Sequence, residues 1–496
     1  MTNIIAKTHD RTLHYFMKIS EIPRRSGQEE AIAAYLCSWA EERGMKWRRT
    51  SDIINGKQTA NVVIFKAATK GFEAENTVIL QAHMDMVCQK TKDSQHDFEK
   101  DPLRIIIDQE KGLMSAEGTT LGADNGIGVA FILAILESEQ ISHPAINALF
   151  TSDEENGMSG AMAISEEFLE GTKGKYLINI DSGEEGSLCV GCAGGIDAVF
   201  RLPLVYEITN EEMSLIRFEI SGLIGGHSGT AIHKKRANAH KLAARLMQMI
   251  FLACKEARLV DFIGGDKQNV ITKEAAFTVA CLPKRAGEII GIASEAKAIF
   301  AHEYAGIEPS LKLIATQTDS TVTQVLSQEC RDQFMRALLL IPNDVQAMHG
   351  QMAGMVETSC NLGIVRIEAS HIYFVSFIRS FLRSKKLFVA AQMRSLAELI
   401  GASFSLENDL PGWEPQMDSK LLARFELAYN EAFGSLPQVK SVHAGLECGY
   451  FSEKFPTMAM ISCGPNISGA HSPDETLDIK STVRVMELLI RVLAMR

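Results

Sequence analysis

Four short apolar runs in this chain stop abruptly at loops rich in acidic residues or histidine, and this feature constrains the fold most. The run 77–80 leads into Gln-Ala-His83-Met-Asp85, and 146–150 into Thr-Ser-Asp153-Glu154-Glu155-Asn-Gly157. The run 176–180 leads into Asp181-Ser-Gly183, and 458–461 passes through Ser-Cys-Gly-Pro towards His471-Ser-Pro-Asp. Helical periodicity, as over 126–138 and 421–433, lies between them. Strands alternating with helices predict an α/β fold, a mostly parallel sheet with helices on both faces. Ligands of such sheets gather outside the carboxyl ends of the strands, which is where the acidic loops fall.

From about residue 195 to 411 the pattern changes. Strand-like stretches (213–221, 371–379) accompany amphipathic helices, one with an apolar stripe of Ala239, Leu242, Ala243, Leu246, Met249, Ile250 and Ala253. At 496 residues the chain exceeds one ordinary core. We therefore expect one domain, residues 1–195 and 412–496, interrupted by an inserted α+β domain, residues 196–411. The 50 basic and 61 acidic residues leave a net charge of −11, which argues against a nucleic-acid partner. No apolar run approaches the roughly 20 residues that span a bilayer, and the first ten residues lack a secretory segment. Ten cysteines in so long a chain read as reduced thiols. The expectation is a cytoplasmic protein without a membrane partner.

Singly, each loop residue has an ordinary explanation: Asp124 before a helix reads as an N-cap, and a turn histidine as solvated. Together, His83, Asp85, Asp124, Glu154, Glu155, Asp181 and His471 end on one expected rim. Two imidazoles and several carboxylates suit zinc, manganese or cobalt. They exceed what one tetrahedral zinc needs, which points to a two-metal centre. The adjacent Glu154 and Glu155 leave the backbone in different directions, so one can ligate while the other acts as general base. Asp85 could hold the second nitrogen of His83.

The ordered motifs His-Met-Asp, Gly-Ala-Asp-Asn-Gly, Asp-Glu-Glu-x-Gly, Asp-Ser-Gly, Gly-Gly-His-Ser-Gly and a late His-Ser-Pro-Asp-Glu resemble the di-zinc metallopeptidases related to carboxypeptidase G. Within them, Ala-Gly-Leu-Glu447-Cys-Gly after His443, Val-Glu-Thr-Ser near Glu357 and Arg236-Ala-Asn238-Ala are similar to the aminoacyl-histidine (Xaa-His) dipeptidases. The resemblance runs over nearly the whole chain. It implies one zinc on His83, Asp124 and Asp181 and another on Asp124, Glu155 and His471, with Co2+ or Mn2+ as substitutes. It further implies Glu154 as general base, Asp85 as partner of His83, a cis Asp124–Asn125 peptide, and His227, from an inserted lid, as oxyanion stabiliser. The implied reaction is hydrolysis of a small dipeptide. Arg379 is the candidate for its carboxylate, with Asn269 and Asn238 as weaker ones; His443 and Glu447 are further candidates for lining the site.

The alternatives are a carboxypeptidase or N-acyl-amino-acid amidohydrolase with the same ligands, and a silent metal-binding or dimerisation module, against which an intact Glu154 speaks. The assembly is expected to be a monomer or homodimer. The insert is long enough for two lid units, so that His227 would serve its own chain. Cys189-Val-Gly-Cys192 has no second pair at zinc-ribbon distance, Lys234-Lys235-Arg236 reads as a solvated run, and His302-Glu303 lacks a second histidine.

Overall fold

The structure is a computed structural model that describes residues 2–171, 175–209, 212–318 and 322–496. It divides into two compact units: Met1–Cys192, Trp413–Ser441 and Leu446–Arg496 form one, Ala193–Gly412 and Val442–Gly445 the other.

The first unit is built on an eight-stranded sheet in the order Lys46–Arg49, Val62–Lys66, Ile146–Thr151, Val78–His83, Tyr176–Asn179, Ala459–Ser462, Ser187–Cys192, Gln438–Val442. Every residue of Val78–His83, Ile146–Thr151 and Tyr176–Asn179 is buried, as expected of central strands covered on both faces. From Ile146–Thr151 to Ala459–Ser462 the neighbours are parallel. Lys46–Arg49, Val62–Lys66 and Ser187–Cys192 pair antiparallel. The sheet is therefore mixed, with a parallel centre and antiparallel pairings beside it. Apolar runs record that a strand is buried but not its direction, and the short hairpin Ile53–Ile54/Lys57–Gln58 lies between the first two strands.

Helix Ala123–Glu137 is apolar almost all round, and all but Asp124 and Glu137 of its residues are buried. It lies so close to the sheet that a Cβ on Gly128 would meet the carbonyl oxygen of Ile180 at 2.6 Å. Glycine here lets the helix seat its first turn, with Asp124, at the strand ends. A small antiparallel sheet (Ile467–Ser468, Thr476–Asp478, Leu113–Ala116, Ile105–Asp108) holds the loop that bears His471.

The second unit has a nine-stranded sheet in the order Lys312–Thr318, Ser214–Ser221, Ala275–Cys281, Arg258–Gly264, Val356–Ile367, His371–Ser380, Gly194–Pro203, Ser403–Leu410, with Asp344–Met348 also on Val356–Ile367. Its registered pairs are antiparallel. Of the stripe read on helix Ala239–Ala253, Ala239, Leu242, Ala243, Leu246 and Ile250 are buried. Met249 is half-buried and Ala253, in the last turn, is exposed.

Candidate functional site

In the first unit the parallel strands deliver their loops to one rim. His83 ends its strand opposite Thr151, three residues before Glu154, while Asn179 stands opposite Gln81, two residues before Asp181. Asp124 shares its oxygens between the two histidines: Oδ1 lies 3.1 Å from His83 Nε2, and Oδ2 3.2 Å from His471 Nε2. Asp181 Oδ1 is 3.4 Å from His83 Nε2, and Glu155 Oε1 is 2.8 Å from His471 Nε2. Asp85 lies beneath them, fully buried, with Oδ1 3.4 Å from His83 Nδ1. Its oxygens also accept the backbone N–H groups of Glu154 and Glu155, each at 3.1 Å. The Asp124–Asn125 peptide is cis.

Burial pushes Asp181 up to about 6, against the pull of His83. Burial also raises Glu154 well above the usual carboxylate range, opposed by His83 and reinforced by Asp181, Glu155 and Glu447. Asp124 goes the other way: burial disfavours its charge, but the bonds to His471 and His83 win and hold it far below its ordinary value. Those same bonds to Asp124 and Glu155 lift His471 to about 10. Crowded buried carboxylates are costly unless a positive charge joins them. Ligand atoms lie within 4.8 Å of one another in three groups: His83–Asp124–Asp181, Asp124–Glu155–His471 and His83–Glu154–Glu155. This oxygen-and-imidazole set fits divalent cations. A cavity of about 200 Å³, lined in part by Asp124, Asp181, Ser182 and Pro465, adjoins it.

Glu447 belongs to this unit but not to the rim. Fully buried, its Oε2 accepts from Gln81 Nε2 (2.6 Å) and Thr151 Oγ1 (2.7 Å), and burial raises its pKa to about 8. Asn179 Nδ2 continues the network to Gln81 Oε1 at 2.5 Å.

The remaining sequence-derived candidates lie in the second unit. His227 Nδ1 faces the N–H groups of Gly229 (3.3 Å) and Thr230 (3.2 Å), which leaves Nε2 as the protonated nitrogen. Arg379 Nη2 stands 3.2 Å from that Nε2, so two donors meet with no acceptor between them. Burial, then Arg379, lower His227 to about 4. Arg379 is buried, its Nε makes no hydrogen bond among the described residues, and burial lowers it to about 10 despite Asp197. His443 Nε2 lies 2.7 Å from Ser359 Oγ. Asn269 is half-buried, and its carbonyl accepts from Ser228 N at 2.8 Å. Asn238 caps helix Ala239–Ala253: its Oδ1 accepts from His240 N, and its Nδ2 donates to Leu362 O and Asn343 Oδ1. Those bonds occupy its amide within the fold.

Sequence reasoning missed Gln81 and Thr151, which hold Glu447, and Arg24 and Glu475, which bond the backbone around Asp124. Glu475 had a signal, as the last residue of His-Ser-Pro-Asp-Glu; Arg24 had none.

The comparisons with known proteins return peptidases. The chain belongs to peptidase family M20/M25/M40, whose model matches residues 79–495. It is 38% identical over 482 residues to the cytosol non-specific dipeptidase of Escherichia coli (strain K12), covering 96% of each chain. It is also similar to the crystal structure of aminoacylhistidine dipeptidase from Vibrio alginolyticus, with TM-score 0.87 and 38% identity over 97% of this chain and 96% of that one. A tripeptidase from Staphylococcus aureus, at TM-score 0.55 and 15% identity over 98% of both chains, shares the fold.

Proposed function

We propose that the protein is a cytoplasmic di-zinc dipeptidase that hydrolyses Xaa-His and related dipeptides. The observation that carries this reading is Asp124, which offers one oxygen beside each of two histidines, with a further carboxylate on either side. The names of the Escherichia coli and Vibrio relatives support the substrate class and, for the first, the compartment. Among the described residues, no helix is long and apolar enough to cross a membrane.

His83, Asp124 and Asp181 would hold one zinc, and Asp124, Glu155 and His471 the other. When bound, such a pair polarises a carbonyl and acidifies a water. Asp85 orients the His83 imidazole through Nδ1 and pins the backbone of Glu154. Glu154, left outside both ligand sets, takes the proton of the attacking water and hands it to the leaving amine. His227 Nε2–H and the Arg379 guanidinium, two donors lacking an acceptor, receive the oxyanion and the dipeptide carboxylate. Asn269, beside the His227 loop, and His443 line the same substrate site.

The test is release of histidine from an Xaa-His dipeptide by wild type and Glu154→Gln. We expect kcat to fall roughly 10²- to 10⁴-fold in the variant with its metal content retained. A fully active variant refutes the mechanism. A panel of dipeptides, acylated amino acids and longer peptides decides the substrate: preference for acylated amino acids would make the protein an amidohydrolase, and turnover of C-terminal residues from longer peptides a carboxypeptidase.

A further inference from the structure

Helix Ala123–Glu137 has Gly122 at its N-cap and so no capping side chain of its own. The N–H groups of residues 121–124, which lead into its first turn, need acceptors all the same. They find them in one carboxylate from the far end of the chain. Glu475 Oε2 accepts from Leu121 N (2.8 Å) and Gly122 N (2.9 Å), and Oε1 from Ala123 N (2.8 Å) and Asp124 N (3.2 Å). Glu475 is buried, and it follows His471 by four residues in the same loop. It therefore ties the segment of Asp124 to the segment of His471.

Arg24 makes the complementary tie. It is 2% exposed, yet its guanidinium bonds backbone carbonyls alone: Nη2 to Gly122 O (2.6 Å), Nη1 to Met84 O (3.2 Å) and Asp85 O (3.3 Å). A Cβ on Gly122 or on Gly126 would sit 2.5 or 2.6 Å from Nη2, so both glycines are needed for the guanidinium to fit. Gly122, at φ +65°, thus gives its N–H to a carboxylate and its carbonyl to a guanidinium. Burying a glutamate and an arginine is costly unless their hydrogen bonds are met; here backbone meets both Glu475 oxygens and both Nη atoms of Arg24, while its Nε has no partner among the described residues. Arg24 links residues 84–85 to 122, and Glu475 links 121–124 to the loop of His471.

We propose that Glu475 and Arg24 are positioning residues that set the spacing of the two cation sites by fastening the segments of His83, Asp124 and His471 to one another. The proposal rests on the reading of those three residues as ligands. In Glu475→Gln an amide NH2 would face two of the four N–H donors, and the loop must shift to relieve them. In Arg24→Lys the charge stays, but the fork that reaches three carbonyls is lost.

The experiment titrates the metal-free full chain with Zn2+ against a chromophoric chelator and records the thermal midpoint of each variant. We expect Glu475→Gln and Arg24→Lys each to weaken Zn2+ binding about 10- to 100-fold. Thr482→Val serves as the control. It removes the buried contact of Thr482 Oγ1 with His9 Nε2 (2.8 Å), which touches none of the three segments, and should lower the midpoint with affinity unchanged. Affinity within twofold of wild type in both positioning variants overturns the proposal, as does an equal loss in Thr482→Val at matched midpoint. Should one variant fail to fold, the other decides; failure of both shows a requirement of folding rather than of spacing, and also overturns it. Asp124→Ala in the same titration distinguishes the underlying reading: if it binds Zn2+ as wild type does, the ligand assignment has failed, whatever Glu475 shows.

Discussion

The rim of the first unit and the His227–Arg379 cluster of the second are electrostatic opposites. The rim gathers carboxylates around two histidines whose pKa values are raised, His471 to about 10 by Asp124 and Glu155. The cluster gathers buried donors without a carboxylate bonded to Arg379 among the described residues, and its histidines are lowered: His227 to about 4 and His443 to about 3, each chiefly by burial. Each arrangement is expensive by itself, and each becomes favourable once a group of opposite charge arrives. The rim suits a cation and the cluster an anion.

The sharpest way to break this contrast is to remove the shared ligand. Asp124→Ala should take activity down by roughly ten-thousand-fold or more, with loss of metal measured by elemental analysis. A variant that kept both metal and turnover would leave the rim without a function. The next effect is smaller and lies in the cluster. Arg379→Ala removes the buried guanidinium proposed to bind the substrate carboxylate, so KM for a dipeptide should rise roughly 10- to 100-fold, the worth of one charge-assisted bond, with kcat changed less. An equal fall in kcat with KM unmoved would place Arg379 on the transition state instead of on the carboxylate.

Three of the five residues proposed as ligands stand out because they lie within two residues of an element's end, where burial and chemistry change; Glu155 and His471 lie farther into their loops. His83 closes a strand, Asp124 opens a helix, and Asp181 follows a strand. What the sequence does not show is how distant segments are tied. Glu447 and Gln81 are 366 positions apart, and Glu475 and Asp124 are 351 apart; no local pattern announces either bond. His443 and Glu447 illustrate the same limit at short range. Read as one motif, they fall in different units, because the chain passes from one to the other between Gly445 and Leu446. Asn238 was misleading for a different reason: an asparagine before a helix is an N-cap signal in its own right, and its side chain is spent there.

The smallest effect concerns stability and separates burial from ligand chemistry within the second unit. His240 is fully buried, belongs to neither cluster, and burial lowers it to about 3 from 6.5. Below 6.5 the unfolded chain takes up a proton that the folded chain refuses, so this residue destabilises the fold as pH falls towards 3 and has no such effect at neutral pH. Each pH unit in that window costs about 1.4 kcal/mol per such group. His240→Gln cannot titrate but can still donate to the Gly363 carbonyl, which His240 Nε2 approaches at 3.4 Å. The drop in urea midpoint between pH 7 and about pH 5 should therefore shrink in this variant by the equivalent of about 2 kcal/mol, whatever the substitution does at pH 7. If the drop is unchanged, His240 is already protonated in the folded protein, and burial alone does not explain the low histidine values of this unit.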